Sequence, residues 1–532
     1  MPQTPLRALD RAVSLFPGKR AVWCEGRTWT YADFFGRVQQ LSRALAALGV
    51  GPGDRVAYLS YNCHRLLEGY FAVPQMGAIL LPLNIRLLAQ DFRVILRHSG
   101  ARLLFVHPDF LETVEAIRPD LPELEHVLLL EPDPRGRAEG STYDQLLEAQ
   151  PRDPYPRPEV DEDDVAELFY TSGTTGQPKG VMLTHRNLYA LALQMVGALQ
   201  FDEPDVHLHS LPMYHANGWG APQTVTLVGG THVMLPRFQA AQAVERIEAL
   251  GVTTAYMVPT MVIELLNLPG LESRDLRSMR RLVVGGAAPS PTMAREVTER
   301  LGWPFVAAYG LTESSPVATF AFLRSWQRGE EPEQRYRRMA STGQPMPGVE
   351  ARVVDLAGRD VPLDGRTPGE LLLRGDTVMK GYWNNPEATA EAIRDGWLHT
   401  GDVATMDADR FIQIVDRKKD IIISGGENIS SIEVEDTLYA HPAVLECAVI
   451  AVPDAKWGER PLALVVPKPG AAADRAALAE ELRLWCRDRL AHFKAPDRVE
   501  IVDSLPKTGT GKIQKNVLRE MYREAAPSDR AG

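Results

Sequence analysis

The chain has 532 residues, 58 basic and 69 acidic, for a formal charge of −11 with histidine neutral. An apolar share of 45% with 24% charged residues is that of an ordinary globular protein, and it excludes disorder, collagen and coiled coil. The acidic balance argues against nucleic acid as the main partner, because such binders carry a basic face.

The length allows two to four folding units at ~100–200 residues each. Cys24, Cys63, Cys447 and Cys486 lie far apart without a C-x-x-C pair, which fits a reducing cytoplasm better than a secreted or zinc-ribbon protein. No run of ~18 apolar residues is present, so no membrane span is expected, although peripheral contact stays open. Neither a signal peptide nor a lipidation tag is recognisable.

In chain order, Leu6, Leu9, Val13 and Phe16 stand at helical spacing. Short β-rich runs at 55–60, 78–84, 102–106 and 126–130 then alternate with apolar helices, and a second such series occupies 206–213, 231–236, 253–259, 281–286 and 304–310. This rhythm predicts βα units with parallel strands, in two α/β layers. The acidic DEDD at 161–164 and the charged stretch at 327–338 read as surface loops. From about 342, short runs separated by Gly, Pro and Asp suggest an all-β piece such as a small barrel. A charged knot, DRKKD at 416–420, precedes a further ~115 residues of α/β alternation. The expected architecture is therefore α/β: a large domain over 1–416, and a small α+β lid domain over 417–532. The lid is charge-balanced, with 18 basic and 18 acidic residues, so the acidic excess belongs to the large domain.

The densest chemical signal is Tyr170 to Val181, YTSGTTGQPKGV, read as a loop between the strand VAELFY and a helical MLTHRNLYALALQMV. Gly173, Gly176 and Gly180 let the backbone turn N–H groups toward one centre, Thr171, Ser172, Thr174 and Thr175 add hydroxyls, and Lys179 adds charge. Such a loop suits a polyphosphate. Lysine is otherwise scarce: of 11, 8 lie at or beyond Lys418. The Walker A spacing is absent from both this loop and TGTGK at 508–512, and no G-x-G-x-x-G opens a helix.

With five further blocks in order, GGAAP (285–289), YGLTE (309–313), HTGD (399–402), DRKKDIIISGGENI (416–429) and PKTGTGK (506–512), nearly the whole chain resembles the adenylate-forming superfamily of acyl-CoA synthetases, adenylation domains and beetle luciferase. The resemblance implies ATP and Mg²⁺ as cofactors, with CoA as co-substrate. It places Gly285, Gly286 and Ala287 against the adenine, Tyr309 stacked on it beside Gly310, and Thr312 on a phosphate oxygen. Glu313 and Thr175 would hold the metal, Asp402 the ribose hydroxyls and Arg417 the nucleotide. Lys512 resembles the lysine bridging carboxylate and α-phosphate, Lys419 the hinge pivot, and Gly425, Gly426 and Glu427 the CoA side.

In LPMYHANGWGAP (211–222), His215 resembles the gate between nucleotide and acyl pocket. Trp219 stands where some fatty acyl-CoA synthetases close an acyl tunnel, and Gly220 leaves room beside it. This implies an ATP-dependent fatty acid–CoA ligase in the cytoplasm, with a homodimer as a family-level expectation. The alternatives are a ligase for short-chain, branched or aryl acids, one with a carrier-protein acceptor, or a non-catalytic nucleotide binder. No Asp near 216–220 is available to pair with an amino acid's ammonium, and DADRF (407–411) carries Ala408 and Arg410 where the family's turn often has glycine.

Overall fold

A computed structural model describes residues 2–136, 142–171, 178–417, 420–424, 427–454, 457–471, 474–507 and 513–524. Two compact units result, 1–351 with 373–399 and 352–372 with 400–532, and the strands Val349–Val354, Gly369–Gly375 and Trp397–Met406 each cross the division. The expected α/β class, with large and small parts, is the one found.

The first unit holds two sheets. One has nine strands, and its parallel interior runs Arg20–Cys24, Thr231–Met234, Val206–His209, Thr254–Met257, Arg281–Val284 and Phe305–Tyr309. The other has seven, with Val165–Thr171, Ile79–Pro82, Arg55–Leu59, Ala101–Val106 and His126–Leu129 in parallel. Strands such as Ile79–Pro82 and Arg281–Val284 are buried at every position, which is why they read as continuous apolar runs rather than alternating ones.

Helix starts follow local chemistry. Thr184 caps His185–Leu199: its hydroxyl accepts from Asn187 N at 3.2 Å, and Asn187 Oδ1 accepts from Thr184 N at 2.8 Å. The Asn187 amide also donates to the carbonyls of Asp376 and Val378, tying this helix to the chain just before Gly381–Tyr382.

Two expectations need correction. The glycine-rich segment does not lead from strand to helix, because Lys179–Thr184 is itself a strand, antiparallel to Val165–Thr171, and the helix starts only at His185. MLT continues the alternation of a hairpin arm, and the Thr184 cap fixes the true helix start. The stretch 327–338 is also no simple loop, since Pro332–Met339 is helical. Pro at its start, Glu333 in its first turn and Arg337 and Arg338 in its last suit the helix dipole, while Tyr336 is buried and donates to Glu299 Oε1 at 3.0 Å.

In the second unit, Trp397–Met406 pairs antiparallel with Ile412–Arg417 over 402–406. Beyond it, Val444–Asp454 and Gly458–Pro467 form a long antiparallel pair, with Arg498–Ile501 parallel to the latter. The helices Ser431–Tyr439 and Arg475–Arg489 pack on this sheet around a core that includes Val449, Val465, Leu482 and Cys486.

Candidate active site

In the first unit, Thr171 ends its strand directly opposite Lys179. Between them Ser172, Gly173, Thr174, Thr175 and Gly176 lie outside the described residues. Lys179 Nζ lies 5.0 Å from the ring centroid of Tyr382, a residue of the two-residue strand that pairs with Val181. Tyr382 Oη donates to Glu313 Oε1 at 2.8 Å, and the Glu313 carbonyl accepts from Met379 N at 2.9 Å. Burial, with the Glu313 carboxylate beside it, raises the Tyr382 phenol far above its ordinary pKa, so it stays a donor. Ammonium, aromatic ring, hydroxyl and carboxylate are thus neighbours in succession, and among the described residues Glu313 Oε2 has no hydrogen-bond partner. A magnesium ion carried by substrate phosphates needs only one or two carboxylates, so this donor set fits it.

Thr312 and Glu313 sit in the short turn Thr312–Ser314, which follows the strand Phe305–Tyr309. Tyr309 is the last residue of that strand, and its carbonyl accepts from Ala318 N at 2.9 Å. Gly310 is required by close packing: a Cβ there would lie 1.9 Å from the Pro316 carbonyl oxygen.

Gly285 follows Arg281–Val284 at the same end of the sheet. A Cβ on it would fall 2.4 Å from the Ala308 carbonyl oxygen and 2.9 Å from Trp219 Cη2, while Gly286 and Ala287 are exposed. The structure therefore brings Trp219, expected on the acyl side, against Gly285, expected on the adenine side.

His215 is exposed, and its carbonyl accepts from Gly218 N at 3.1 Å. After it come five positive φ values in succession: Ala216 47°, Asn217 40°, Gly218 57°, Trp219 57° and Gly220 73°. A left-handed conformation costs ~1–2 kcal/mol for each non-glycine residue, so this turn needs restraint from its surroundings. Trp219 is only 8% exposed; it stacks on Tyr256 at 5.9 Å between centroids, and Tyr256 in turn meets the buried His207 edge-on at 4.6 Å.

In the second unit, Asp402 is buried and pairs in register with Arg417 across the two strands. Its N–H donates to Thr400 Oγ1 at 3.1 Å, and that hydroxyl donates to the Leu371 carbonyl at 2.7 Å. Just before Arg417, Asp416 Oδ2 accepts from Ser431 N at 2.6 Å, and Lys515 Nζ stands 2.8 Å from Glu435 Oε1. Burial pushes Glu435 up to about 7, and burial likewise opposes the charge on Lys515, but Glu435 and Asp416 outweigh it and raise that ammonium. Glu427 begins the short strand Glu427–Ile429, with its backbone opposite Ser424. Lys507 and Ile513 pair on either side of 508–512. Lys419, Gly425, Gly426 and Lys512 lie outside the described residues.

Sequence reasoning missed Tyr382, whose only local signal is an aromatic after Lys380 and Gly381, and Glu167, an acid inside the apolar run VAELFY. Among the described residues no cluster of three metal-ligating side chains occurs, and no helix is long and apolar enough to cross a membrane.

The model for the AMP-binding enzyme family matches residues 9–383, and that for the AMP-binding enzyme C-terminal domain matches 433–512. A long-chain-fatty-acid–CoA ligase of Thermus thermophilus is 41% identical over 97% of this chain and 95% of its own length. A feruloyl-CoA synthase of Amycolatopsis is 40% identical over 96% of this chain and 98% of its own. Among solved structures, an anthranilate CoA ligase in complex with anthranoyl-AMP has a TM-score of 0.89 at 29% identity, covering 99% of both chains. ATP-bound MatB from Rhodopseudomonas palustris has a TM-score of 0.87 at 30% identity, covering 98% of this chain and 100% of its own.

Proposed function

Because the chain belongs to the AMP-binding enzyme family, we propose that it is an ATP-dependent acid–CoA ligase whose preferred acid is a medium- or long-chain fatty acid. The observation that carries the reading is the succession Lys179–Tyr382–Glu313, a cation next in sequence to the glycine-rich segment and, beside the same aromatic ring, a carboxylate held by its hydroxyl.

The chemistry follows from the acid's low reactivity. A carboxylate is a poor electrophile until its oxygen joins a good leaving group, so the reaction runs in two steps. The acid's oxygen attacks the α-phosphorus of ATP in line and pyrophosphate departs; the CoA sulfur then attacks the acyl carbon and AMP departs. The first step asks the protein mainly for position and charge neutralisation. Lys179 and the hairpin N–H groups bind the β- and γ-phosphates, Thr312 donates to a phosphate oxygen, and Tyr309 with Gly285, Gly286 and Ala287 receives the adenine. Glu313, oriented by Tyr382, would hold Mg²⁺, which supplies charge neutralisation on the phosphates. Asp402 accepts the ribose hydroxyls, with Arg417 beside it. Lys512 bridges carboxylate and α-phosphate, and rotation about Lys419 exchanges it for Gly425–Glu427 in the thioester step.

A second reading is favoured by Trp219 itself: stacked on Tyr256 and abutting Gly285, it fills the space beside the adenine glycines, as a ligase for short or compact acids would require. Assaying the half-reactions separately tests the assignment. Lys512→Ala should abolish adenylation yet still form thioester from supplied acyl adenylate, whereas Lys419→Pro should slow the second step more than the first. Unchanged adenylation in the Lys512 variant contradicts the reading.

A further inference from the structure

We propose that Glu167 is a positioning residue for acid binding, its buried carboxyl anchoring, through Gln223, the helix that directly follows the left-handed turn Ala216–Gly220 and so fixing the turn that seats Trp219. The inference rests on the reading of residues 215–220 as the acyl side of the site.

Glu167 lies on the strand Val165–Thr171, in register with Leu80, and is wholly buried. An acid in that position is costly unless its oxygens are used. Gln223, in the helix directly after the turn, donates from Nε2 to Glu167 Oε1 at 2.7 Å. Inside the turn, the Asn217 amide lies close enough to favour the ionised carboxyl, although Asn217 Nδ2 and Glu167 Oε2 do not meet full hydrogen-bond geometry with any partner. Asn217 Oδ1 is engaged within the turn, accepting from Gly220 N at 2.5 Å. The carboxyl is therefore bonded to the helix that directly follows the strained segment.

The chain before the turn has its own anchors. Tyr70 Oη donates to the Met213 carbonyl at 2.5 Å, Met213 N donates to Asn62 Oδ1 at 2.8 Å, and Asn62 Nδ2 donates to the Leu211 carbonyl at 2.8 Å. Upstream restraint thus comes from Tyr70 and Asn62, and downstream restraint from Glu167 through Gln223. The ring of Trp219 is delivered to Gly285 by this doubly held turn, so loosening one side shifts the ring rather than the catalytic groups. Burial pushes the Glu167 carboxyl up to about 8, which makes glutamine a near-isosteric, equally neutral replacement and leucine a replacement of similar volume without polar contacts.

The test uses the full-length enzyme with ATP, Mg²⁺, CoA and saturated acids from butyrate to palmitate. Glu167→Leu is expected to raise KM for the preferred acid about tenfold while KM for ATP stays within about twofold, and Glu167→Gln to restore the parent value. Gln223→Leu, which breaks the same contact from the helix side, is expected to act like Glu167→Leu and keeps the test open should that variant fold poorly. In a Trp219→Ala background the Glu167→Leu effect on acid KM should vanish, because the clamp acts through that ring. Unchanged acid KM in folded Glu167→Leu or Gln223→Leu, or full additivity with Trp219→Ala, overturns the proposal. A parent enzyme that converts no acid to its thioester overturns the ligase reading instead.

Discussion

Tyr382 and Glu313, 69 residues apart, are joined by a 2.8 Å hydrogen bond in which the phenol donates to the carboxylate. Lys179 Nζ lies over the Tyr382 ring, 5.0 Å from its centroid, so Tyr382 neighbours both this cation and the carboxylate proposed to hold the metal. Tyr382→Phe keeps the ring and removes the donor. A hydrogen bond to a charged group is worth about 1.5–3 kcal/mol, so kcat/KM for adenylation should fall about tenfold or more, with a higher Mg²⁺ requirement. Pyrophosphate release titrated against Mg²⁺ reads both; an unchanged Mg²⁺ dependence removes Tyr382 from the site.

Gly285 tolerates no side chain, because a Cβ meets the Ala308 carbonyl at 2.4 Å and the Trp219 ring at 2.9 Å. Gly285→Ala should destabilise the first unit by ~1–3 kcal/mol through overpacking. It should also raise KM for both ATP and acid, since the same methyl pushes on both sides. Thermal melts beside two-substrate kinetics check this, and a rise in only one KM contradicts the shared wall.

The buried Glu167 gives a pH signature of known sign. Its folded-state pKa is raised, from 4.5 to about 8, so its stabilising contribution is fully present below 4.5 and is lost as pH rises through 8. The side chains bearing on it, Asn217, Gln223 and Tyr70, are uncharged at neutral pH. Relative to Glu167→Gln, the parent should therefore lose stability between about pH 5 and pH 8 in urea titrations and level off above that. A constant difference across that range contradicts a buried, protonated carboxyl.

Arg410 occupies a left-handed position, φ 64°, in the turn between Trp397–Met406 and Ile412–Arg417, where its N–H donates to the Asp407 carbonyl at 2.9 Å. Glycine adopts this conformation without the Cβ penalty, so Arg410→Gly should stabilise the second unit by ~1 kcal/mol. A lower melting temperature for this variant contradicts the strain.

Much of this was legible because it was written in short blocks. The GGAAP and YGLTE segments are local in sequence, and each sits where a strand ends, so strand reading and motif reading coincide at Gly285 and Glu313. Tyr382 was not legible, since a two-residue strand has no periodicity and its meaning comes only from pairing with Val181. Glu167 has no local signal inside the apolar run VAELFY; its hydrogen-bond partner, Gln223, stands 56 residues later. The helix Pro332–Met339 was hidden by composition, because its charged residues cover all but the Tyr336 face.

One reaction decides whether the protein is this ligase: purified full-length protein with ATP, Mg²⁺, CoA and an equimolar panel of carboxylic acids from acetate to palmitate, with aryl acids included, read by mass spectrometry. Acyl-CoA, AMP and pyrophosphate should form in equal amounts, with medium- or long-chain thioesters dominant. Pyrophosphate without any thioester, or ADP in place of AMP, contradicts the ligase reading.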